Sequence, residues 1–130
     1  MLTAFENHLP RRLRFGRGVS RELAGELARL GRSRPLLISD AGVHRAGLVD
    51  QVGGALAAAG LPVVHFWGVD PEPPFRAVTA AVAAARNGDG IDVVVALGGG
   101  SVMDTAKVVA ATFPSFACQR RREPVPRPLR

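Results

Sequence analysis

Residues 91–101 of the chain read IDVVVALGGGS, and this stretch decides the fold. Its first seven residues are apolar except for Asp92 and rich in β-branched side chains, which is typical of a buried strand. Three glycines at 98–100 follow at once, and a helical pattern covers residues 101–111. A strand, a glycine turn and a helix in this order predict a phosphate site. Glycine lets the backbone approach an anion, and the first amide groups of the helix point at it.

The alternation of strand and helix extends towards the N-terminus. Apolar runs predict strands at residues 12–15, 35–39 (PLLIS) and 61–67 (LPVVHFW), and apolar residues at helical spacing predict helices at 19–30, 45–59 and 75–86. The strands are continuous apolar runs, as in a parallel sheet that is covered on both faces. We therefore predict an α/β fold: an open, doubly wound, Rossmann-like parallel sheet with helices on both faces.

Composition and charge exclude several protein classes. Of the 130 residues, 47% are hydrophobic and 22% are charged, as in globular proteins, and no run approaches the ~18 apolar residues of a membrane span. The single cysteine, Cys118, cannot form an internal disulfide. The net charge is +6, but four of these charges come from residues 114–130. The charge therefore belongs to a Pro- and Arg-rich tail, and we predict no nucleic-acid partner and no membrane partner.

The spacing of the glycines excludes two common nucleotide motifs. A P-loop carries Lys and then Ser or Thr after its last glycine, whereas Ser101 and Val102 follow Gly100. The dinucleotide motif G-x-G-x-x-G is approached only from Gly16, and Arg21 stands where its third glycine belongs. The glycine turn thus predicts phosphate binding without matching either motif.

Four stretches of the chain occur in the order and spacing of one protein family. They are FGRG at 15–18, LLISDAG at 36–42, GVDPEPP at 68–74 and VVVALGGGSVMDTAK at 93–107. Together they resemble the N-terminal, nucleotide-binding half of the iron-containing (group III) alcohol dehydrogenases, over residues 5–113. The last stretch is the specific one, and the other three are weaker but correctly spaced.

The resemblance implies that seven residues bind NAD(P). Those of the glycine turn and the helix start would cradle the pyrophosphate: Gly98, Gly99, Gly100 and Ser101. Asp40, at the end of its strand, would meet the adenosine ribose, where a carboxylate favours the 2′-hydroxyl of NAD over the 2′-phosphate of NADP. Asp104 and Lys107, one helical turn apart, would order the nicotinamide end of the site.

Several of these residues also have a purely structural interpretation. Ser101 and Asp104 have the spacing of a capping box at the start of a helix. Asp40 fits a cap on the turn into the second helix, and Lys107 fits a solvated helix position. His65 lies within an apolar strand, where a core histidine is a better interpretation than a ligand.

The resemblance ends before the part of the family that binds metal. The family holds a divalent metal, usually iron, through one Asp and three His of a helical C-terminal domain. The histidines here, His8, His44 and His65, lie in none of the matching motifs. We therefore predict an NAD(P)-binding domain over residues 1–113, with the C-terminal helical domain and the metal ligands missing. The Pro- and Arg-rich composition of residues 114–130 predicts a disordered tail. A frameshift or a truncated gene would explain this tail, and a genuine regulatory tail is the alternative.

By family, the resemblance implies an NAD(P)-dependent alcohol dehydrogenase that passes hydride between a small alcohol or aldehyde and the cofactor, with the metal polarising the substrate oxygen. We expect this chain to be an inactive part of such an enzyme. Two alternatives stay open: a glycerol or glycerol-phosphate dehydrogenase of the same superfamily, and a non-catalytic nucleotide-binding or interaction module. No apolar segment follows the N-terminal arginines, as a secretion signal would require, so we expect a cytoplasmic protein. A homo-oligomer is left open.

Overall fold

The computed structural model of the protein describes residues 12–69, 75–88 and 90–112. The strands in this part of the chain are β1 (Pro35–Asp40), β2 (Val64–Val69) and β3 (Val93–Leu97). They form one parallel sheet in the order β2–β1–β3, so the connection from β2 to β3 crosses over β1. The central strand β1 is therefore paired along both edges.

Helices follow each strand and also precede the first. They are α1 (Leu23–Arg29), α2 (Ala41–Arg45), α3 (Leu48–Ala58), α4 (Phe75–Asn87) and α5 (Gly100–Thr112), with a 3-10 helix at Val19–Glu22. None of the helices in the described residues has the length and hydropathy that a membrane span requires.

The side chains of β1 enter two separate cores, because successive residues of a strand point to opposite faces of a sheet. Leu36 and Ile38 belong to a core shared with α4 and α5, and Leu37 belongs to a core shared with α1 and α3. All three side chains are fully buried. Truncating any of them to alanine is expected to cost roughly 2–5 kcal/mol of stability. The predicted doubly wound α/β fold, with helices on both faces of a parallel sheet, is confirmed.

The strand predicted at residues 12–15 is absent, and this prediction was wrong. The segment has no regular structure, Phe15 is fully exposed and Leu13 is 85% exposed. Among the described residues, no strand edge pairs with this segment. Its arginines instead form ion pairs with acidic residues of the helices that come next in the chain. For example, Nη1 of Arg12 lies 3.0 Å from Oε1 of Glu26.

The helix predicted at residues 45–59 begins earlier and is divided into α2 and α3. Asp40 caps α2, since its Oδ1 accepts a hydrogen bond of 2.9 Å from the backbone amide of Val43. Gly47 separates the two helices with a φ of 76°, a left-handed backbone that favours glycine. Periodicity alone could not reveal this break, because apolar residues continue at helical spacing on both sides of it.

The remaining boundaries differ by a few residues. The strand predicted at 61–67 lies at Val64–Val69, so it includes the first two residues of the GVDPEPP stretch at 68–74. Residues 70–74 lie outside the described part of the chain, as does the tail predicted at 114–130.

Candidate cofactor site

The carboxyl ends of β1 and β3 lie side by side at one edge of the sheet. Ser39 of β1 is in register with Leu97 of β3, so the residues that follow, Asp40 and Gly98, are neighbours. The chain leaves β1 towards α2 and α3 on one face and leaves β3 towards α5 on the other. A crevice opens where two such connections diverge, and open α/β sheets bind their ligands there.

A buried hydrogen bond holds these two strand ends together. The Oγ atom of Ser39 donates to the carbonyl oxygen of Leu97 at 2.6 Å, and the Ser39 side chain is fully buried. The bond fixes the residue before Asp40 against the residue before Gly98. Sequence reasoning missed Ser39, and its one signal was a hydroxyl in the otherwise apolar run PLLIS.

The start of α5 points at the crevice. Its first helical hydrogen bond runs from the amide of Met103 to the carbonyl oxygen of Gly99, at 3.0 Å. The amide groups of Gly99 and Gly100 precede this bond, and the first amides of a helix lack partners within the helix. The macrodipole adds a partial positive charge at the same place. This end of α5 therefore suits an anion.

The three glycines of the turn have different physical roles. A Cβ atom at Gly98 would lie 2.7 Å from Cγ2 of Val102, so the fold itself requires glycine there. A Cβ atom at Gly99 or at Gly100 would meet nothing within 4 Å, and neither residue has a positive φ. Packing and backbone geometry thus leave Gly99 and Gly100 free to carry a side chain, and their bare backbone instead leaves room for a ligand.

Asp40 faces this turn and also performs the structural role considered for it. Its Oδ1 caps α2, as described above, while its Oδ2 lies 3.3 Å from the position that a Cβ atom of Gly98 would take. The side chain is half-buried. The cap holds the carboxylate in one orientation, at the edge of the sheet where the glycine turn begins.

A cavity of about 360 Å³ occupies the crevice and brings most of the predicted residues together. One wall comes from α5 and its turn, the other from the end of β1 and from α2, and the lining residues are Asp40, Ala41, Gly42, Arg45, Val69, Gly99, Gly100, Ser101 and Val102. Four predicted site residues are among them, and Gly98 lies directly behind. Arg45 is a cavity residue that sequence reasoning did not single out.

Asp104 and Lys107 are not among the residues that line this cavity. They form an ion pair with each other, with Nζ of Lys107 3.0 Å from Oδ1 of Asp104, and both side chains are more than 70% exposed. Ser101 is the second residue of α5, whereas a capping box places its serine just before the helix. The role of Asp104 and Lys107 at the nicotinamide end stays a prediction.

A larger cavity, of about 520 Å³, lies on the other side of β3. Apolar residues of α1, α3 and β3 form most of it, and Arg12, Arg14 and Arg29 stand at its rim. These arginines already pair with Glu22 and Glu26. This cavity contains neither the glycine turn nor the start of α5, so the smaller cavity is the better candidate for a nucleotide.

The described histidines have aromatic neighbours, but His65 is exposed, so the interpretation of it as a core histidine was wrong. The ring of His44 stacks on Trp67 with centroids 4.3 Å apart, and the ring of His65 packs against Trp67 edge-on at 6.3 Å. Within the described residues, no three His, Cys, Asp or Glu side chains come close enough together to hold a metal ion. These residues therefore do not fit the iron of the family. His8 lies outside them.

Comparisons with known proteins agree with the resemblance seen in the sequence. The sequence profile of a family described as iron-containing alcohol dehydrogenase matches residues 10–129. A choline dehydrogenase of Bacillus subtilis (strain 168) is 40% identical over 103 residues, which are 78% of this chain and 25% of that protein. A probable NADH-dependent butanol dehydrogenase 2 of the same organism is 37% identical over 107 residues, which are 82% of this chain and 27% of that protein.

A solved structure extends the agreement to the fold. The crystal structure of NADH-dependent butanol dehydrogenase A from Thermotoga maritima superposes with a TM-score of 0.75 at 33% identity, over 85% of this chain and 28% of that one. The chain thus spans between 25% and 28% of the length of these three relatives. The profile match over most of the chain confirms the resemblance: the protein belongs to the iron-containing alcohol dehydrogenase family.

Proposed function

We propose that this chain binds NAD(P) in the cavity between β1 and α5, as the cofactor-binding part of an alcohol dehydrogenase. One observation carries the proposal. Asp40 lines the same cavity as the start of α5, where Gly99 and Gly100 lie. A carboxylate suits ribose hydroxyls and a helix start suits a pyrophosphate, so the two walls match adjacent parts of one dinucleotide.

The pyrophosphate would lie at the start of α5. The amides of Gly99 and Gly100 precede the first helical hydrogen bond, and both residues leave open space in front of their backbone. The volume of about 360 Å³ lies within the range of roughly 300–1,000 Å³ that is usual for ligand pockets. Gly98 brings β3 close to α5, and Ser101 extends the same wall.

The adenosine ribose would lie against Asp40. A carboxylate accepts hydrogen bonds from the two ribose hydroxyls and repels a 2′-phosphate, so we propose that NAD is favoured over NADP. The names of two relatives, both NADH-dependent butanol dehydrogenases, support this preference.

The reaction that we propose for the whole enzyme, of which this chain is the cofactor-binding part, is hydride transfer between a small alcohol or aldehyde and the cofactor. Bound NAD would supply the hydride acceptor at its nicotinamide ring. The residues described above bind and orient the adenosine and pyrophosphate. The relatives are named for choline and for butanol, so membership of the family does not select one alcohol. A panel of alcohols that includes glycerol and glycerol phosphate tests the alternative dehydrogenases.

No step of the reaction is assigned to iron here, because the described residues do not form a site that fits it. A non-catalytic nucleotide-binding module stays the alternative. Turnover of the alcohol panel would establish a dehydrogenase, and it would contradict the expectation that this chain alone is inactive. The cytoplasmic location and a homo-oligomer also stay predictions, which cell fractionation and analytical ultracentrifugation test.

Calorimetric titration of the full 130-residue chain with NAD tests the proposed site. We expect saturable binding at one site, and we expect added Fe²⁺ to leave the affinity unchanged. If the chain binds no NAD although circular dichroism shows that its secondary structure is intact, the proposal is contradicted.

A further inference from the structure

One charged side chain of the cavity has no part in the proposal so far. Ala41, Gly42 and Arg45 line the cavity from α2. Positions 41 and 45 are four residues apart, so they share a face of the helix. Because alanine and glycine have little or no side chain, Arg45 is the long side chain on this wall.

Among the described residues, no acid neutralises the charge of Arg45. Arg12 and Arg29 both pair with Glu26, whereas no carboxylate of the described residues forms an ion pair with Arg45. Asp40 stands at the other end of the same short helix and lines the same cavity. The α2 wall therefore carries one negative and one positive group, and both face the space where we place the adenosine ribose.

The chemistry of the guanidinium group suggests its ligand. Its planar fork binds phosphate through two parallel hydrogen bonds, and an arginine beside the adenosine ribose can accommodate the 2′-phosphate of NADP. The pyrophosphate already has a place at the start of α5. The phosphate nearest to both Asp40 and Arg45 would therefore be the one on the ribose.

We propose that Arg45 is a specificity-determining residue that attracts a 2′-phosphate and offsets its repulsion by Asp40. The opposition of these two side chains, and not Asp40 alone, sets the preference between NAD and NADP, so the chain accepts NADP as a second cofactor. This inference rests on the proposed nucleotide site.

A pair of small nucleotides isolates this effect. Adenosine 5′-monophosphate and adenosine 2′,5′-bisphosphate differ only in the 2′-phosphate, and each is titrated calorimetrically into the full chain. Arg45→Gln is expected to weaken binding of the bisphosphate about tenfold, the loss of one charge-assisted contact, and to change that of the monophosphate less than about threefold. The same ratio should appear between NADP and NAD.

The second variant is Asp40→Asn, which keeps an oxygen that can accept the capping bond from Val43. It is expected to shift the preference towards the bisphosphate, and the double variant with Arg45→Gln is expected to lose that shift. Arg86→Gln is the control. Arg86 is an exposed arginine of α4 outside the cavity, so its substitution changes the net charge equally.

The possible results separate this inference from the proposed function. If Arg45→Gln loses affinity for both nucleotides equally, the role of Arg45 is overturned while the nucleotide site still stands. The same follows if Arg86→Gln has an effect as large as that of Arg45→Gln. A folded parent chain that binds neither nucleotide would overturn the site and this inference together. Thermal unfolding followed by circular dichroism verifies that each variant is folded.

Discussion

The Ser39 hydroxyl donates a hydrogen bond of 2.6 Å to the carbonyl oxygen of Leu97, and this bond joins the two strand ends that carry the candidate site. Asp40 follows the donor and Gly98 follows the acceptor. This buried side-chain contact therefore joins the two walls of the cavity in addition to the backbone pairing of the strands. The ribose side and the pyrophosphate side of the site cannot separate without breaking it.

Replacing Ser39 tests this dependence. Ser39→Ala leaves the carbonyl oxygen of Leu97 without the hydroxyl, so we expect the free energy of unfolding to fall by about 1–3 kcal/mol. We also expect weaker NAD binding, because one of the contacts that hold Asp40 beside Gly98 is lost. Urea unfolding and calorimetry measure the two effects. Ser33→Ala is the control, since Ser33 is exposed and its backbone amide, not its hydroxyl, donates to Asp92. Equal effects of the two substitutions would contradict the role of Ser39.

Gly99→Val tests whether a ligand uses the bare backbone of the turn. A Cβ atom at this position meets nothing within 4 Å, so we expect a folded protein whose stability falls by no more than about 1 kcal/mol. The valine side chain occupies the space of the pyrophosphate, so NAD binding should be lost. Ser101→Ala should cost much less, on the order of 0.5–1.5 kcal/mol of binding free energy for one hydrogen bond. Calorimetry of the variants measures both.

Gly98→Ala is the matched control for Gly99→Val. Its Cβ atom would lie 2.7 Å from Val102, so here we expect the stability of the fold to fall first. Unfolding curves and NAD titrations of both variants distinguish a packing glycine from a binding glycine. Unchanged NAD affinity in Gly99→Val would show that no pyrophosphate lies at the start of α5.

Asp40→Ala and Asp40→Asn separate the two roles of this carboxylate. Alanine removes the α2 cap and should lower the free energy of unfolding by about 1 kcal/mol, whereas asparagine can keep the cap. Both remove the negative charge at the ribose, so both should reduce the preference for NAD over NADP. The ratio of the two dissociation constants is the measurement. If the parent chain binds NAD and NADP with equal affinity and neither substitution changes this, Asp40 has no role at the ribose.

The sequence predicted the parts of this site that are governed by local chemistry. The run IDVVVALGGGS reveals its strand, turn and helix start because each residue type has a strong preference for its position. Asp40, at the end of its strand, was implied by the resemblance to the family. The parallel arrangement followed from strands that are apolar on both faces.

The features that the sequence did not predict depend on contacts between distant segments. The partner of the Ser39 hydroxyl is 58 residues away along the chain. Arg45 was assigned to an ordinary helix start, because the left-handed Gly47 that divides that helix leaves the apolar periodicity unchanged. Residues 12–15 have the composition of a strand, but pairing decides whether a strand forms, and their sequence carries no information about a partner.

Gly53 and Gly54 are adjacent residues of α3 with opposite surroundings. A Cβ atom at position 53 would lie 2.4 Å from Cε1 of the His65 ring, whereas one at position 54 would meet nothing within 4 Å. The ring of His65 also packs edge-on against Trp67. The absence of a side chain at Gly53 thus allows β2 to place a histidine against α3.

This difference predicts opposite responses to the same substitution. Gly54→Ala should raise the free energy of unfolding by about 1 kcal/mol, because alanine is the better helix former at an exposed position. Gly53→Ala should lose that gain, since the His65 ring must move away from the new methyl group and from Trp67. In a His65→Ala background the obstacle is gone, so Gly53→Ala should then stabilise the protein by about 1 kcal/mol. Urea unfolding of the single and double variants measures the coupling. Equal stabilisation by Gly53→Ala with and without His65 would mean that the ring does not pack against α3.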